Sequence, residues 1–204
     1  MSIRLYVEGG GDAKAQKIAC REGFRMLIDK AGLTRRMPRI VACGSRRNAF
    51  ESFEMALAQS ATSDVFPMLL IDSEAPATAA NPWRYLQTRD GWAHPDGATD
   101  SQCHLMVQCM EAWFLADRQA LIGYFGQHFQ ESALPGNPNV EAVRMLDLLD
   151  GLERATRQTS KGTYSKGKHS FPILGALDPA KVEAAAPSAK RFLDTLRSLS
   201  GVVE

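Results

Sequence analysis

The chain has 204 residues, 45% of them hydrophobic, which is enough to bury a substantial core in one compact domain. Its 24 lysines and arginines against 23 acidic residues leave a formal charge of +1, which excludes a global basic field and confines any nucleic-acid contact to local clusters. No apolar stretch approaches the ~20 residues of a membrane helix, and the run opening MSIRLYVEGG is too short for a signal-peptide core, so a cytoplasmic protein with no membrane contact is expected.

Residues 3–7 form a short, β-branched apolar run that ends at Glu8, Gly9, Gly10, Gly11 and Asp12. A buried strand that breaks into glycines before a helix opens a βα unit. Asp12 suits the helix N-cap, Ala15, Ile18, Phe24, Leu27 and Ile28 recur at helical spacing, and Gly32 closes the segment. Residues 39–43 read as a second strand, followed by Arg46, Arg47 and a helix over 49–59. Residues 66–71 (FPMLLI) are a third apolar strand, which ends at Asp72, Ser73 and Glu74. Strand and helix patterns in alternation imply a parallel sheet with helices on its faces.

Between residues 75 and 101 the pattern gives way to a long connection punctuated by Pro76, Pro82, Gly91, Pro95 and Gly97. A connection of that length is expected to be functional or to carry short helices of its own. Residues 103–109 read as a fourth strand and 110–117 (MEAWFLAD) as a helix behind it. After the breaker around Pro135 and Pro138, residues 140–157 read as a helix with Val143, Leu146, Leu149 and Leu152 on one side. Residues 161–170 look polar and glycine-interrupted, and a last helix is expected over 188–199. The expected division is an α/β core over 1–130 and a helical portion over 131–204 packed on it. Cys20, Cys43, Cys103 and Cys109 form no CxxC pair and sit in apolar surroundings, so buried free thiols are expected rather than a metal site or disulfides.

In an open parallel sheet, ligands bind beyond the carboxyl ends of the strands. Two of the expected strands put carboxylates there: Glu8 on the first, Asp72 and Glu74 on the third. If those strands are neighbours, the acids converge, and their repulsion is costly unless a cation neutralises it or one group stays protonated. Oxygen ligands of this kind suit Mg²⁺ or Mn²⁺. Gly9, Gly10 and Gly11 would let a phosphate approach the backbone at the start of the helix. The run is neither a Walker A loop nor a dinucleotide fingerprint, because it lacks the following Lys-Ser or Lys-Thr and the G-x-G-x-x-G spacing.

Strand, Glu8, Gly9, Asp12, helix, and then strand, Asp72, Glu74 together resemble the Toprim motif set of topoisomerases, primases and OLD-type nucleases. Within that superfamily the chain is most similar to an uncharacterised family encoded near ATPases in bacterial defence loci. Residues 104–117, 164–171 (YSKGKHSF) and 187–196 also match. The resemblance implies a Toprim-like, Rossmannoid α/β fold and a divalent-metal-dependent nuclease or nucleic-acid-processing subunit. It also implies DNA or RNA as substrate and a separate ATPase as partner in antiviral defence.

Carried over residue by residue, Glu8 becomes an acid/base group or metal ligand. Asp72 and Glu74 hold the metal, although the superfamily usually has Asp-x-Asp at this place. Asp12 and Glu111 are further ligand candidates, and Lys166 and His169 are catalytic candidates that would neutralise charge on the phosphate. Arg46, Arg47, Lys161 and Lys168 are expected to grip the nucleic acid. Two alternatives stand beside this reading: a non-catalytic regulatory or binding subunit, and a small-nucleotide phosphohydrolase. His104 is expected to be a satisfied buried histidine, and the tryptophans to be packing residues, with Trp92 a possible base-stacking surface.

Overall fold

The computed structural model describes residues 2–60, 64–77 and 80–201. Parts of the expected connection (78–79) and of the C-terminal portion (202–204) therefore lie outside the described residues. The protein is α/β, with a four-stranded, wholly parallel sheet flanked by helices. Strands β1 (Ser2–Val7), β2 (Arg39–Ala42), β3 (Val65–Asp72) and β4 (Cys103–Met106) run in the order β2-β1-β3-β4. The two strands that end in carboxylates are thus neighbours, with Val7 paired to Leu70.

The alternation of side chains along a strand separates two apolar layers. Ile3, Leu5 and Val7 of β1 with Met68 and Leu70 of β3 face one core. Tyr6, Leu69 and Ile71 face the other, where helix α2 (Arg46–Ser60) contributes Phe50 and Phe53 and helix α3 (Pro82–Asp90) contributes Trp83 and Leu86. Helix α3 lies inside the long connection, which carries its own short helix as expected.

The first core is covered by helix α1 (Lys14–Ile28) and by helix α6 (Lys166–Ala176), with α4 (Arg118–Phe125), α5 (Met145–Thr156), α7 (Pro179–Ala185) and α8 (Pro187–Ser200) around them. This cluster extends from Ile3 to Leu196. Helices α1 and α6 meet closely because glycines stand at their contact. A Cβ on Gly23 would lie 2.6 Å from the Phe171 carbonyl oxygen, and one on Gly175 would lie 2.9 Å from Met26 Sδ. Lys30, beyond the end of α1, donates to the carbonyls of Gly175, Ala176 and Leu177 at 2.8, 2.9 and 3.2 Å. It thereby satisfies acceptors that the end of α6 leaves open.

Several expectations need correction. Residues 161–170 are not a loop throughout, since α6 begins at Lys166. Gly167, inside the Lys-Gly-Lys-His start of this helix, lowers its helix propensity, and the polar run hides the apolar face that follows. Residues 110–116 form a 3-10 segment (Met110–Ala116) rather than an α-helix. The 140–157 helix divides into a 3-10 turn (Val140–Ala142) and α5, so Leu146 faces solvent at 76% exposure while Leu148 and Leu152 are buried. Asp12 does not cap α1: Ala13 holds that position, with no side-chain cap hydrogen bond. All four cysteines are free and buried.

Candidate functional site

A cavity of about 310 Å³ opens at the carboxyl ends of β1 and β3. Its walls include Glu8, the Gly9–Gly11 loop, Asp72, Glu111, Lys166 and Ser170. The loop after β1 is tied to the loop after β2 by paired backbone bonds, Gly9 N–H to the Gly44 carbonyl at 2.8 Å and the reverse at 2.9 Å. Gly44 has φ of 82°, and a Cβ there would meet the Gly11 carbonyl oxygen at 2.9 Å, so only glycine fits.

Backbone amides hold the two central carboxylates. Asp72 N–H donates to Glu8 Oε2 at 3.0 Å, and Met110 N–H donates to Asp72 Oδ1 at 2.8 Å. Each carboxylate is therefore fixed through one oxygen. Among the described residues no hydrogen bond engages Glu8 Oε1 or Asp72 Oδ2. The 3-10 segment that supplies Met110 N–H also carries Glu111, which is 1% exposed. Tyr164 O–H donates to Glu111 Oε1 at 2.9 Å and lies 2.8 Å from Ser170 Oγ, which itself approaches Glu111 Oε1 at 3.4 Å. Lys166 Nζ lies 3.2 Å from Glu111 Oε2, an atom with no hydrogen bond.

The charges respond as burial and repulsion dictate. Burial raises Glu8 from the ordinary 4.5 to about 7; the Asp72 amide and Arg46 oppose this, and Glu74 adds to it. Asp72 is held well above the usual carboxylate range by burial and by the neighbouring Glu8 and Glu111. For Lys166, burial pulls downward, but Glu111 and Asp72 outweigh it and its ammonium form is strengthened. Tyr164 is raised by burial and by Glu111.

Of the residues singled out in the sequence, Glu8, Asp72, Glu111, Lys166 and the three glycines come together. The others lie elsewhere. Glu74, at φ 57°, is exposed and ion-paired with Arg89. Asp12 is exposed and does not line the cavity. His169 is 1% exposed among the rings of Tyr124, Phe125 and Tyr164, and its Nδ1 accepts from Ser165 N–H at 3.0 Å, so it serves packing rather than the cavity. Arg46 pairs with Asp90 at 2.6 Å, donates to the Asp72 carbonyl and lies 5.2 Å above the Trp92 ring, which stacks on Phe50. Arg46 buttresses the end of β3, and Trp92 is packing. Arg47 is exposed and paired with Glu51 within α2. Lys161 covers the Tyr124 ring, and Lys168 donates to the Lys161 carbonyl at 2.9 Å. His104 is buried and satisfied: Nε2 donates to the Ser101 carbonyl, Nδ1 faces Arg191, and burial with that cation lowers it to about 3.

The Tyr164–Ser170 support of Glu111 escaped the sequence reading. Its only trace was the spacing of those two residues within YSKGKHSF.

Among the described residues, no three His, Cys, Asp or Glu side chains form a metal-ligand group. Glu111 turns its free oxygen to Lys166, which leaves the Glu8–Asp72 pair. Such a pair fits Mg²⁺ or Mn²⁺, because Mg²⁺ is usually held by one or two carboxylates and completes its shell with water and phosphate. No described helix is long and apolar enough to cross a membrane. A family model described as "Domain of unknown function (DUF4276)" matches residues 7–197. No curated protein and no solved structure matches the chain.

Proposed function

The chain belongs to the DUF4276 family, and from its site we propose that it is a divalent-metal-dependent nuclease or nucleic-acid-processing subunit. The observation that carries this reading is the backbone-pinned pair Glu8 and Asp72 at the ends of adjacent parallel strands, both lining a glycine-walled cavity. The order of these residues resembles the Toprim motif set, and the proposal of a separate ATPase partner in defence rests on that resemblance alone.

Glu8 and Asp72 would hold the cation, which when bound supplies Lewis-acid polarisation of a phosphodiester and a more acidic water. The chain's own groups do the rest. The glycine loop brings backbone close to a phosphate without side-chain obstruction. Lys166, held by Glu111, presents a fixed ammonium at the cavity wall to offset charge that develops on the phosphoryl oxygens. Tyr164 and Ser170 keep Glu111 oriented from below. In this scheme Glu111 is a positioning residue for Lys166.

The test is incubation of the purified chain with plasmid, single-stranded DNA, RNA and tRNA in Mg²⁺ or Mn²⁺. Cleavage is expected, and both Glu8→Gln and Asp72→Asn are expected to abolish it. Cleavage that survives both changes overturns the assignment. Metal binding without turnover supports the regulatory alternative, and phosphate release from mononucleotides supports the phosphohydrolase.

A further inference from the structure

The polar side chains that wall the Glu8–Asp72 cavity are engaged by the protein, with one exception. Glu8 and Asp72 each accept a backbone N–H, Glu111 is held by Tyr164 and Lys166, and Ser170 donates to the Lys166 carbonyl at 2.6 Å. The exception is Gln16, in the first turn of α1. It is half-buried, and among the described residues no hydrogen bond engages its carboxamide.

The carboxamide is nevertheless confined. Its Oε1 lies 2.5 Å from where a Cβ of Gly11 would stand, and its Nε2 lies 2.9 Å from where a Cβ of Gly167 would stand. The side chain therefore reaches from α1 to the first turn of α6, with a glycine against each polar atom. A methyl group at either position would push it aside. Gly167 lowers the helix propensity of the turn that contains it, and the space it leaves is taken by Gln16. A glutamine confined in this way gives up rotamer freedom and makes no protein hydrogen bond. Its donors and acceptor are left to a ligand in the cavity that it lines.

The surroundings select the ligand. Nε2 faces the turn of α6 in which the preceding residue, Lys166, brings its ammonium to the same cavity. A neutral N–H donor beside an ammonium suits an anionic oxygen, and it adds no negative charge to a wall that already holds Glu8, Asp72 and Glu111. An apolar ligand would leave the amide unpaired. Met106, Met110 and Phe171 supply apolar surface in the same cavity, which suits the sugar and base of a nucleotide. The volume of about 310 Å³ lies at the small end of the ~300–1,000 Å³ range of small-molecule pockets.

We propose that Gln16 is a substrate-binding residue, whose carboxamide donates to a phosphoryl oxygen of a nucleotide held in the Glu8–Asp72 cavity. The inference rests on the reading of this cavity as a phosphate-ester site and names a group that grips the phosphate. The test is a phosphorus NMR titration of the unaltered chain, Q16M, Q16E and Q16A with thymidine 5′-monophosphate and with the thymidine dinucleotide. It is run in Ca²⁺, a hard cation for oxygen ligands, and in EDTA, where metal-assisted cleavage cannot proceed. Thymidine, followed by proton NMR, is the phosphate-free control. Q16M and Q16E keep the length of the side chain, and a thermal melt verifies that each variant is folded.

The expected result is a ~10-fold rise in Kd for Q16M with at least one phosphate ligand. The rise should be larger for Q16E, whose carboxylate repels the phosphate. Thymidine should bind more weakly than its monophosphate, and equally to all the proteins. Loss confined to the monophosphate supports the contact and assigns the oxygen to a free nucleotide; loss confined to the dinucleotide supports it and assigns the oxygen to a chain. Binding that is absent for both ligands in both conditions, or that Q16M and Q16E leave unchanged, overturns the contact. A loss in Q16A alone, which marks a spacer, overturns it too, as does thymidine that binds as tightly as its monophosphate. If Q16M weakens binding while no metal supports cleavage of nucleic acid, the contact holds and the nuclease reading fails. If cleavage needs Asp72 but Q16M changes neither binding nor kcat/KM, the nuclease reading holds and the contact fails.

Discussion

Replacing Glu8 with Gln should stabilise the metal-free protein above neutral pH. Burial lifts the Glu8 carboxyl from 4.5 to about 7, and only the Asp72 amide, Arg46 and Lys166 restrain it. A value higher in the folded than in the unfolded chain means that folding favours the proton. Stability is therefore undiminished below about pH 4.5 and falls as pH rises, with the loss complete above about pH 7. At ~1.36 kcal/mol per pH unit the full penalty is about 3 kcal/mol. A glutamine keeps an oxygen for the Asp72 N–H and carries no charge, so it escapes most of that penalty. In EDTA, Glu8→Gln should gain about 2–3 kcal/mol in urea unfolding at pH 8, or ~5–10 °C in Tm for a chain of this size, and almost nothing at pH 4.5. Equal stability of the two proteins at pH 8, or a gain of the same size at both pH values, would refute the claim that this carboxylate is held against its charge.

Tyr164→Phe removes the hydroxyl that donates to Glu111 Oε1 inside the protein; the expected loss is about 1–3 kcal/mol, measured by urea titration. Gly23→Ala forces a methyl against the Phe171 carbonyl, so α1 and α6 must separate at a cost of about 1–3 kcal/mol. The same change should slow any cleavage, because Lys166 rides on α6, and parallel melts and activity assays check both effects. Lys30→Met leaves the carbonyls of Gly175, Ala176 and Leu177 at the end of α6 without their cation and should cost about 1–2 kcal/mol. Hydrogen exchange should show the loss as faster opening of the last turn of α6.

The parallel sheet and its carboxylate-bearing edge were legible because apolar runs ending at Glu8 and Asp72 announce strand ends directly, and βα alternation makes those strands parallel. Glu8 and Asp72 do lie side by side, as their strand positions required. Residues beyond the strand end were harder to place. Glu74 follows Asp72 by two positions, but the backbone turns at φ 57° and sends its side chain to Arg89, which no spacing rule foretells. Arg46 looked like a free cation because its partner, Asp90, is 44 residues away in sequence. The start of α6 was obscured by its Lys-Gly-Lys segment, whose apolar contacts to α1 are tertiary. Glu111 and Lys166 could each be suspected alone, but their pairing depends on how the 3-10 segment and α6 meet.

Titration with Mn²⁺, followed by its electron paramagnetic resonance signal, tests most directly whether Glu8 and Asp72 share one cation. One Mn²⁺ per chain should bind to the unaltered protein and to Glu74→Gln, and neither Glu8→Gln nor Asp72→Asn should retain it. Undiminished binding in both of those variants, or loss confined to Glu74→Gln, would contradict a site built on the ends of β1 and β3.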